Sequence, residues 1–357
     1  MKHKKLILLS LATSILYSCI SQAVPKKQKR NKKLPTVVIV TTGGTIAEKT
    51  NPKTGGDVPT VTGKALINAV PGLEKLANIE VVELFNVDSS RITPKQWTQL
   101  SKKVDELLKK SYIKGAVVTH GTDTMAEGAY FLDLTIKSKK PIVVVGAMRD
   151  AGSLSPDGPK NLYNAVLQVT SPKAQKFGVT LTMNQYINSA RHVRKTDTTN
   201  VQTFDSGRHG YLGYIAVDQV HKFHDRLPEF KFSVPEKLAK VDLVKEYAGF
   251  DGSFIRHAVD NGAKGIVVEG VGAGNVNKKV YEAIKYALSK NVVVIVATRV
   301  FNGAVYPIYG GDGGAKTLQT DGAILNSDLT GPKARILLML ALSNGKSKKE
   351  IESYFVF

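Results

Sequence analysis

The sequence contains a single cysteine, Cys19, so no disulfide bond can form within the chain. It has no internal repeat, and beyond residue 23 it has no apolar run near the roughly 20 residues that a membrane-spanning helix needs. Acidic residues are few: 30 Asp and Glu stand against 50 Lys and Arg, which gives a formal net charge of +20. The length of 357 residues and the 42% hydrophobic content fit two globular domains with sizeable cores.

Residues 1–23 have the pattern of an export signal. A basic stretch precedes an apolar stretch, residues 6–16, which is too short to cross a membrane as a helix. Small residues fit cleavage after Ala23, whereas a lipobox-like sequence would make residues 1–18 the signal and place a lipid on Cys19. Both routes predict an exported, periplasmic protein, with membrane contact only if Cys19 is lipidated.

A basic segment, residues 24–35, follows the signal. Six positive charges lie between Lys26 and Lys33, and such a block of like charges predicts a disordered, solvated segment. Elsewhere the positive excess is spread along the chain, without the interleaved aromatic residues of a nucleic-acid-binding surface. We therefore expect a solvated basic surface and no nucleic-acid partner.

The first candidate site lies at the end of a predicted strand. Residues 37–40 are four apolar β-branched residues, which predict a strand buried on both faces of a parallel sheet. Gly43 and Gly44 end the run, and glycine lets the backbone approach a ligand closely. Thr45 follows at the carboxyl end of the strand, where α/β proteins bind ligands. A tight turn with a capping threonine would give the same pattern.

Strand-like and helix-like stretches alternate in two parts of the chain, which predicts βαβ units with parallel sheets. In the first part, residues 36–216, we predict strands at 37–40, 79–85, 113–119 and 142–145 and helices at 94–110, 123–136 and 159–169. In the second part, residues 240–357, we predict strands at 241–246, 265–269 and 292–297 and helices at 253–261, 277–289 and 332–342. The pattern breaks between the two domains, so residues 217–239 are predicted to be a linker.

A second hydroxyl group follows another predicted strand. Thr122 and Asp123 come just after residues 113–119, beside a glycine. A threonine is a weak nucleophile unless a base or a cation helps to remove its proton, and Lys195 is one candidate for that task. Asp123 could equally be the N-cap of the helix that follows, and the two roles are compatible.

Seven segments together resemble the bacterial L-asparaginase/glutaminase family, in its exported, type II-like form. They are residues 41–47 (Thr-Thr-Gly-Gly-Thr-Ile-Ala), 120–125 (His-Gly-Thr-Asp-Thr-Met), 145–149, 157–159, 161–166, 195–198 and 332–335. The resemblance extends over residues 36–357 in order and spacing. It implies a two-domain α/β fold, with a larger flavodoxin-like N-terminal parallel sheet and a smaller Rossmann-like C-terminal domain.

The resemblance also implies an activity and the residues for it. It implies hydrolysis of L-asparagine to L-aspartate and ammonia, with L-glutamine as a possible second substrate. Thr45 would be the nucleophile, on a flexible loop that closes over the substrate. It further implies a second catalytic group, formed by Thr122, Asp123 and Lys195. It also implies a set of substrate-binding residues: Asp88, Ser89, Ser90, Thr122 and Asp123. No cofactor and no metal take part in the family's reaction. Family members are usually homotetramers of close dimers, in which the partner subunit completes each site.

Two departures from the family pattern leave alternatives open. Asp57 stands at the apparent place of a loop tyrosine that assists the nucleophile, and Gly249 stands at the place of a partner-subunit asparagine. The roomier Gly249 would suit an enzyme whose main substrate is glutamine. Asp57 and the basic segment would suit a catalytically weak surface protein that binds amino acids or anions.

Overall fold

The computed structural model describes residues 30–50, 55, 57–59, 62–227 and 230–356. The predicted export signal, Cys19 and the first part of the basic segment lie outside the described residues. Among the helices that are described, none is long and apolar enough to cross a membrane.

The strands and helices predicted from the sequence are present, with ends that differ by at most two residues. The strands in chain order are β1 Thr36–Thr41, β2 Glu48–Thr50, β3 Asp57–Pro59, β4 Asn78–Glu83, β5 Ile113–Thr119, β6 Ile142–Val145, β7 Val179–Met183, β8 Tyr186–Ser189, β9 Arg194–Lys195, β10 Phe204–Asp205, β11 Gly213–Ala216, β12 Gln219–Lys222, β13 Val241–Lys245, β14 Gly265–Gly270, β15 Val293–Thr298 and β16 Ile324–Leu325. The α-helices are α1 Gly63–Asn68, α2 Leu73–Leu76, α3 Pro94–Leu108, α4 Met125–Thr135, α5 Gly158–Thr170, α6 Ser253–Asp260, α7 Lys278–Ser289, α8 Ala315–Thr320, α9 Gly331–Ser343 and α10 Lys348–Phe355.

Within the described residues, eight strands form the large N-terminal sheet, in the order β12-β11-β8-β7-β6-β5-β1-β4. Strands β4, β1, β5, β6 and β7 are parallel, and their order is the flavodoxin-like one that we predicted. The predicted parallel arrangement holds only for these five strands. Strands β8, β11 and β12 are antiparallel, so the sheet is mixed.

Two-residue turns explain why the sequence does not reveal the antiparallel strands. Asn184 and Gln185 join β7 to β8, and Val217 and Asp218 join β11 to β12. All four have φ between 44° and 71°, which is the type I′ conformation, but neither pair has the Asn-Gly or Asp-Gly sequence that signals it. The stretch 217–239 therefore is not all linker, since its first residues form a hairpin turn and strand β12 of the sheet.

The C-terminal domain has a smaller sheet, β13-β14-β15-β16, in which all strands are parallel. Helix α9 packs on β13, β14 and β15 and also against α4 of the N-terminal domain. Phe131 and Leu134 of α4 share one hydrophobic cluster with Leu337 and Leu338 of α9, and all four are fully buried. This apolar contact fixes the C-terminal domain against α4 of the N-terminal domain.

Candidate active site

The site lies at the carboxyl ends of β4, β1 and β5, where the strand order of the large sheet reverses. Crevices form at such reversals because the connections on the two sides leave in opposite directions. Backbone hydrogen bonds join the three strand ends: Thr42 N–H donates to Thr119 O at 3.1 Å, and Val87 N–H donates to Thr42 O at 3.0 Å. The loops that follow these strands are therefore held next to one another.

Two glycines allow the loop after β1 to contact its neighbours. Gly43 and Gly44 have φ of 100° and 86°, and a Cβ atom on Gly44 would lie 2.2 Å from the Cα atom of Gly121. A side chain at Gly44 would therefore push the β1 and β5 loops apart. Thr45 follows Gly44 and Thr122 follows Gly121, so the two threonines flank the contact. Thr45 begins a turn of 3-10 helix, Thr45–Ala47, and is half-buried.

Lys195 lies between Thr122 and Asp123, as the predicted catalytic group requires. Its Nζ atom donates a hydrogen bond of 3.0 Å to Thr122 Oγ1 and one of 2.8 Å to Asp123 Oδ1. Thr122 is buried, and 59% of the Asp123 side chain is exposed, so the group opens towards solvent on the Asp123 side. The N-cap of α4 is Thr124, so Asp123 is not the helix cap.

Ser89 joins the predicted binding residues to this group. Asp123 N–H donates to Ser89 Oγ at 3.3 Å, and Thr124 Oγ1 donates to Ser89 O at 2.9 Å. Asp88 Oδ1 accepts a hydrogen bond of 2.9 Å from Ser90 N–H and so caps the short 3-10 turn that contains Ser89. The structure thus brings Ser89 against Asp123 and holds Asp88 and Ser90 on either side of it.

Asp57 lies in a small hairpin beside the Thr45 turn. Strands β2 and β3 pair with Thr50 opposite Asp57, and β3 contacts the turn Thr45–Ala47. The side chain of Asp57 lies outside the described part of the structure. The role that the resemblance suggests for this position, assistance to the nucleophile Thr45, therefore stays a prediction.

Lys333 is a residue whose part in the site the sequence did not indicate. It lies in α9, it is 1% exposed, and its Nζ atom donates to the backbone carbonyls of Ala190, Arg191 and Val193. Those residues immediately precede β9, which holds Lys195. The signal is a lysine at the start of a helix that is mostly apolar, but sequence alone does not show what such a lysine contacts.

Comparisons with known proteins agree with this geometry. Residues 36–228 match the model "Asparaginase, N-terminal", and residues 240–355 match the model "Glutaminase/Asparaginase C-terminal domain". The chain is 40% identical to L-asparaginase 2 of Bacillus subtilis over 333 residues, which are 91% of this chain and 87% of that protein. It is 38% identical to L-asparaginase 2 of Escherichia coli over 340 residues, which are 90% of this chain and 93% of that protein.

A solved structure agrees as well. It is described as a probable cytoplasmic L-asparaginase from Campylobacter jejuni, and it superposes with a TM-score of 0.82 at 40% identity. The match covers 90% of this chain and 99% of the Campylobacter chain. The matches to both family domains, the identities to the relatives and the shared fold agree, and the chain therefore belongs to the L-asparaginase family.

Proposed function

We propose that this protein hydrolyses the side-chain amide of L-asparagine to L-aspartate and ammonia, with Thr45 as the nucleophile. The pair of hydrogen bonds from Lys195 to Thr122 and Asp123 supports the proposal most strongly. It joins a hydroxyl, an amine and a carboxylate, which can pass a proton between them, at the strand end next to the Thr45 turn. The names of the Bacillus and Escherichia relatives supply the substrate.

The reaction has two steps. In the first, Thr45 Oγ attacks the amide carbon, the C–N bond breaks, and ammonia leaves with the proton from the Thr45 hydroxyl. In the second, water attacks the resulting ester, aspartate is released, and the Thr45 hydroxyl is restored. Lys195 and Thr122 receive the proton and return it, and backbone N–H groups near Thr122 stabilise the oxyanion, each by about 3 kcal/mol.

The charged groups of the substrate have partners of the right kind. The Asp123 carboxylate binds the α-ammonium group, while Ser89, with Asp88 and Ser90 beside it, binds the α-carboxylate. The close contact of Ser89 with Asp123 supports this division, because the two substrate groups are attached to the same carbon atom. Asp123 then serves both substrate binding and the proton relay.

Ammonia release by purified variants tests the assignment of the catalytic group. We expect Thr122→Ala and Lys195→Met to lower kcat by about a hundredfold or more, since each removes a member of the proton relay. Thr320→Ala and Lys316→Met are matched controls at exposed positions of α8 and should leave kcat unchanged. Near-normal turnover by folded Lys195→Met would contradict the assignment.

We also propose L-glutamine as a second substrate, because of Gly249. A Cβ atom built on Gly249 meets no atom within 4 Å, and its φ of 87° favours glycine. The resemblance places this residue at a position that helps to complete the partner's site, where more space would admit a longer amide. Measured values of kcat/KM for the two amides test the idea, and a ratio above about a thousand for asparagine would contradict it.

We propose a homotetramer built from close dimers. One segment of the C-terminal domain exposes several large apolar side chains, each between 46% and 67% exposed: Val300, Phe301, Tyr306, Ile308 and Tyr309. Exposed apolar side chains so close in sequence are typical of a protein interface. Light scattering should give four times the subunit mass for the protein and a lower mass for Ile308→Glu. A monomer at micromolar concentration would contradict the proposal.

We propose export to the periplasm from residues 1–23, although the Campylobacter protein is described as cytoplasmic. Cell fractionation and the mass of the mature chain test this. A mature chain that begins at residue 24 indicates ordinary cleavage, whereas a membrane-bound chain that Cys19→Ala releases indicates lipidation. An uncleaved chain in the cytoplasm would contradict export.

A further inference from the structure

Two histidines and an aspartate lie close together outside the proposed active site. His192 precedes β9, His209 ends the short 3-10 turn Gly207–His209, and Asp328 follows β16. One nitrogen of each imidazole and one carboxylate oxygen all lie within 4.8 Å of one another. Two imidazoles and a carboxylate are the ligand set of many zinc sites.

The pair formed by His192 and Asp328 already has the spacing of two metal ligands. His192 Nε2 lies 3.2 Å from Asp328 Oδ2. Zinc bonds to nitrogen and oxygen of about 2.0–2.2 Å, at tetrahedral angles, place neighbouring ligand atoms about 3.3 Å apart. A metal ion between these atoms would take the place of the shared proton on Nε2, and the neutral imidazole would then carry its single proton on Nδ1.

Arg191 holds the carboxylate in a fixed orientation. Its Nη2 atom donates to Asp328 Oδ1 at 2.7 Å, and its Nε atom donates to Oδ2 at 3.0 Å. Each carboxylate oxygen can accept two such bonds, so replacing the His192 proton leaves the arginine contacts intact. Hydrogen bonds to a ligating carboxylate are usual around metal sites, where they fix its orientation.

The two imidazole rings lie against each other beside Asp328. They stack with centroids 3.7 Å apart and an angle of 7° between planes, so His209 must tilt to share a metal ion. His209 is exposed and lies in a short turn, so the ring can tilt with little loss of packing contacts.

Two cavities adjoin the cluster and restrict the kind of ion. One of about 110 Å³ is lined by His209 and Asp328, and one of about 160 Å³ is lined by His192 and His209. The described residues that line the second cavity include none of the side chains proposed for the subunit interface, so this cavity gives an ion access and leaves room for water ligands. Arg194 and Arg208 also line the first cavity, and their charge disfavours Mg²⁺ or Ca²⁺, which bind oxygen ligands mainly by electrostatics. An ion that bonds well to imidazole is favoured.

We propose that His192, His209 and Asp328 form a binding site for one zinc-like divalent transition metal ion. Bound there, the ion connects the segment that leads to Lys195 with the turn after β16 in the C-terminal domain. The site is separate from the residues assigned to amide hydrolysis, and the reaction proposed for those residues involves no metal. Its expected effect is to stabilise the folded chain, because an ion that binds only the native state raises the free energy of unfolding.

Zinc titration of the full chain tests the proposal, after metal is removed with a chelator. We expect calorimetry to show a site with a stoichiometry of one, a Tm that rises with Zn²⁺, and no such response to Mg²⁺. Co²⁺ should give the visible absorption of a tetrahedral site. In His209→Gln, which keeps a folded chain because the residue is exposed, the affinity of this site should fall by at least about tenfold.

His257→Gln, on the exposed side of α6, is the matched control and should bind zinc as the unchanged chain does. Binding that is equally strong in His209→Gln and in His192→Gln would place the ion elsewhere and overturn the proposal. So would the lack of any heat or Tm change at zinc concentrations up to about a hundred times that of the protein. None of these measurements depends on whether the protein hydrolyses an amide.

Discussion

At the scale of single residues, the most unusual group near the site is the buried Lys333. A lysine without water must have other partners for its charge, and three backbone carbonyls serve here. Burial lowers its pKa well below the ordinary value, and the nearby Arg194 and Arg191 act in the same direction. The lysine holds the segment before Lys195 in place from the other domain.

We predict that Lys333→Met lowers both stability and turnover. The three carbonyls lose a charged donor, so the free energy of unfolding should fall by about 2–4 kcal/mol. Because Lys195 is then less firmly placed, kcat should fall more than KM rises. Urea unfolding and ammonia release measure the two effects, with the exposed Lys316→Met as the control. Unchanged stability and unchanged kcat together would show that Lys333 does not position Lys195.

The residues of the candidate site differ in how well the sequence identifies them. Thr45 and Thr122 each follow an apolar strand and a glycine, so their place at the carboxyl ends follows from pattern and sheet geometry. Lys195 lies 72 residues from Asp123 along the chain, and physical reasoning alone could not select it among 50 basic residues. The resemblance selected it, and the distances then show that the three side chains meet.

At the scale of elements, the buried parallel strands were predictable and the antiparallel ones were not. Residues 37–40 of β1 and all of β6 are uninterrupted apolar runs because both faces of these strands are buried. Strand β12, Gln-Val-His-Lys, has one buried residue, Val220, and lies at the sheet edge, so it has no apolar run to detect. Its turn also places Val217 at φ 48°, which is unfavourable for a β-branched residue.

We predict that Val217→Asn stabilises the protein. Val217 is 93% exposed, so its side chain contributes little packing, while asparagine adopts positive φ more readily. The free energy of unfolding should rise by about 1 kcal/mol. Urea unfolding measures it, with Val356→Asn as a control at an exposed valine of ordinary φ. A loss of stability in Val217→Asn would mean that the valine makes a contact of its own.

At the scale of the whole molecule, the C-terminal domain supports the segment that leads to Lys195 as well as its own sheet. Arg191 pairs with Asp328, and Lys333 binds the carbonyls of residues 190, 191 and 193, so both contacts cross between domains just before Lys195. The two-domain division was predictable from the alternation of elements. These cross-domain contacts were not, since each joins residues more than 130 positions apart.

We predict that the molecule loses stability as the pH falls through about 6.5. Burial lowers the pKa of His120, His192 and His209, so the unfolded chain binds protons that the folded chain does not. Their contribution is complete above the unfolded pKa of about 6.5 and declines as the pH falls towards the folded values. Tm should therefore be lower at pH 5.5 than at pH 7.5.

The variant His120→Gln isolates the histidine effect from that of Glu127. Burial raises the pKa of Glu127, so that this group favours the folded state at lower pH and acts with the opposite sign. The variant should show a smaller difference in Tm between the two pH values than the unchanged chain shows. An equal difference would exclude His120 as a source of the pH dependence.

The most direct test of the whole account is ammonia release from L-asparagine by Thr45→Ala beside the unchanged chain. The account predicts steady turnover by the unchanged chain and a loss of about a thousandfold or more in the variant, which should remain folded and still bind L-aspartate. Turnover by Thr45→Ala within tenfold of the unchanged chain would show that another residue is the nucleophile, and the proposed mechanism would be wrong.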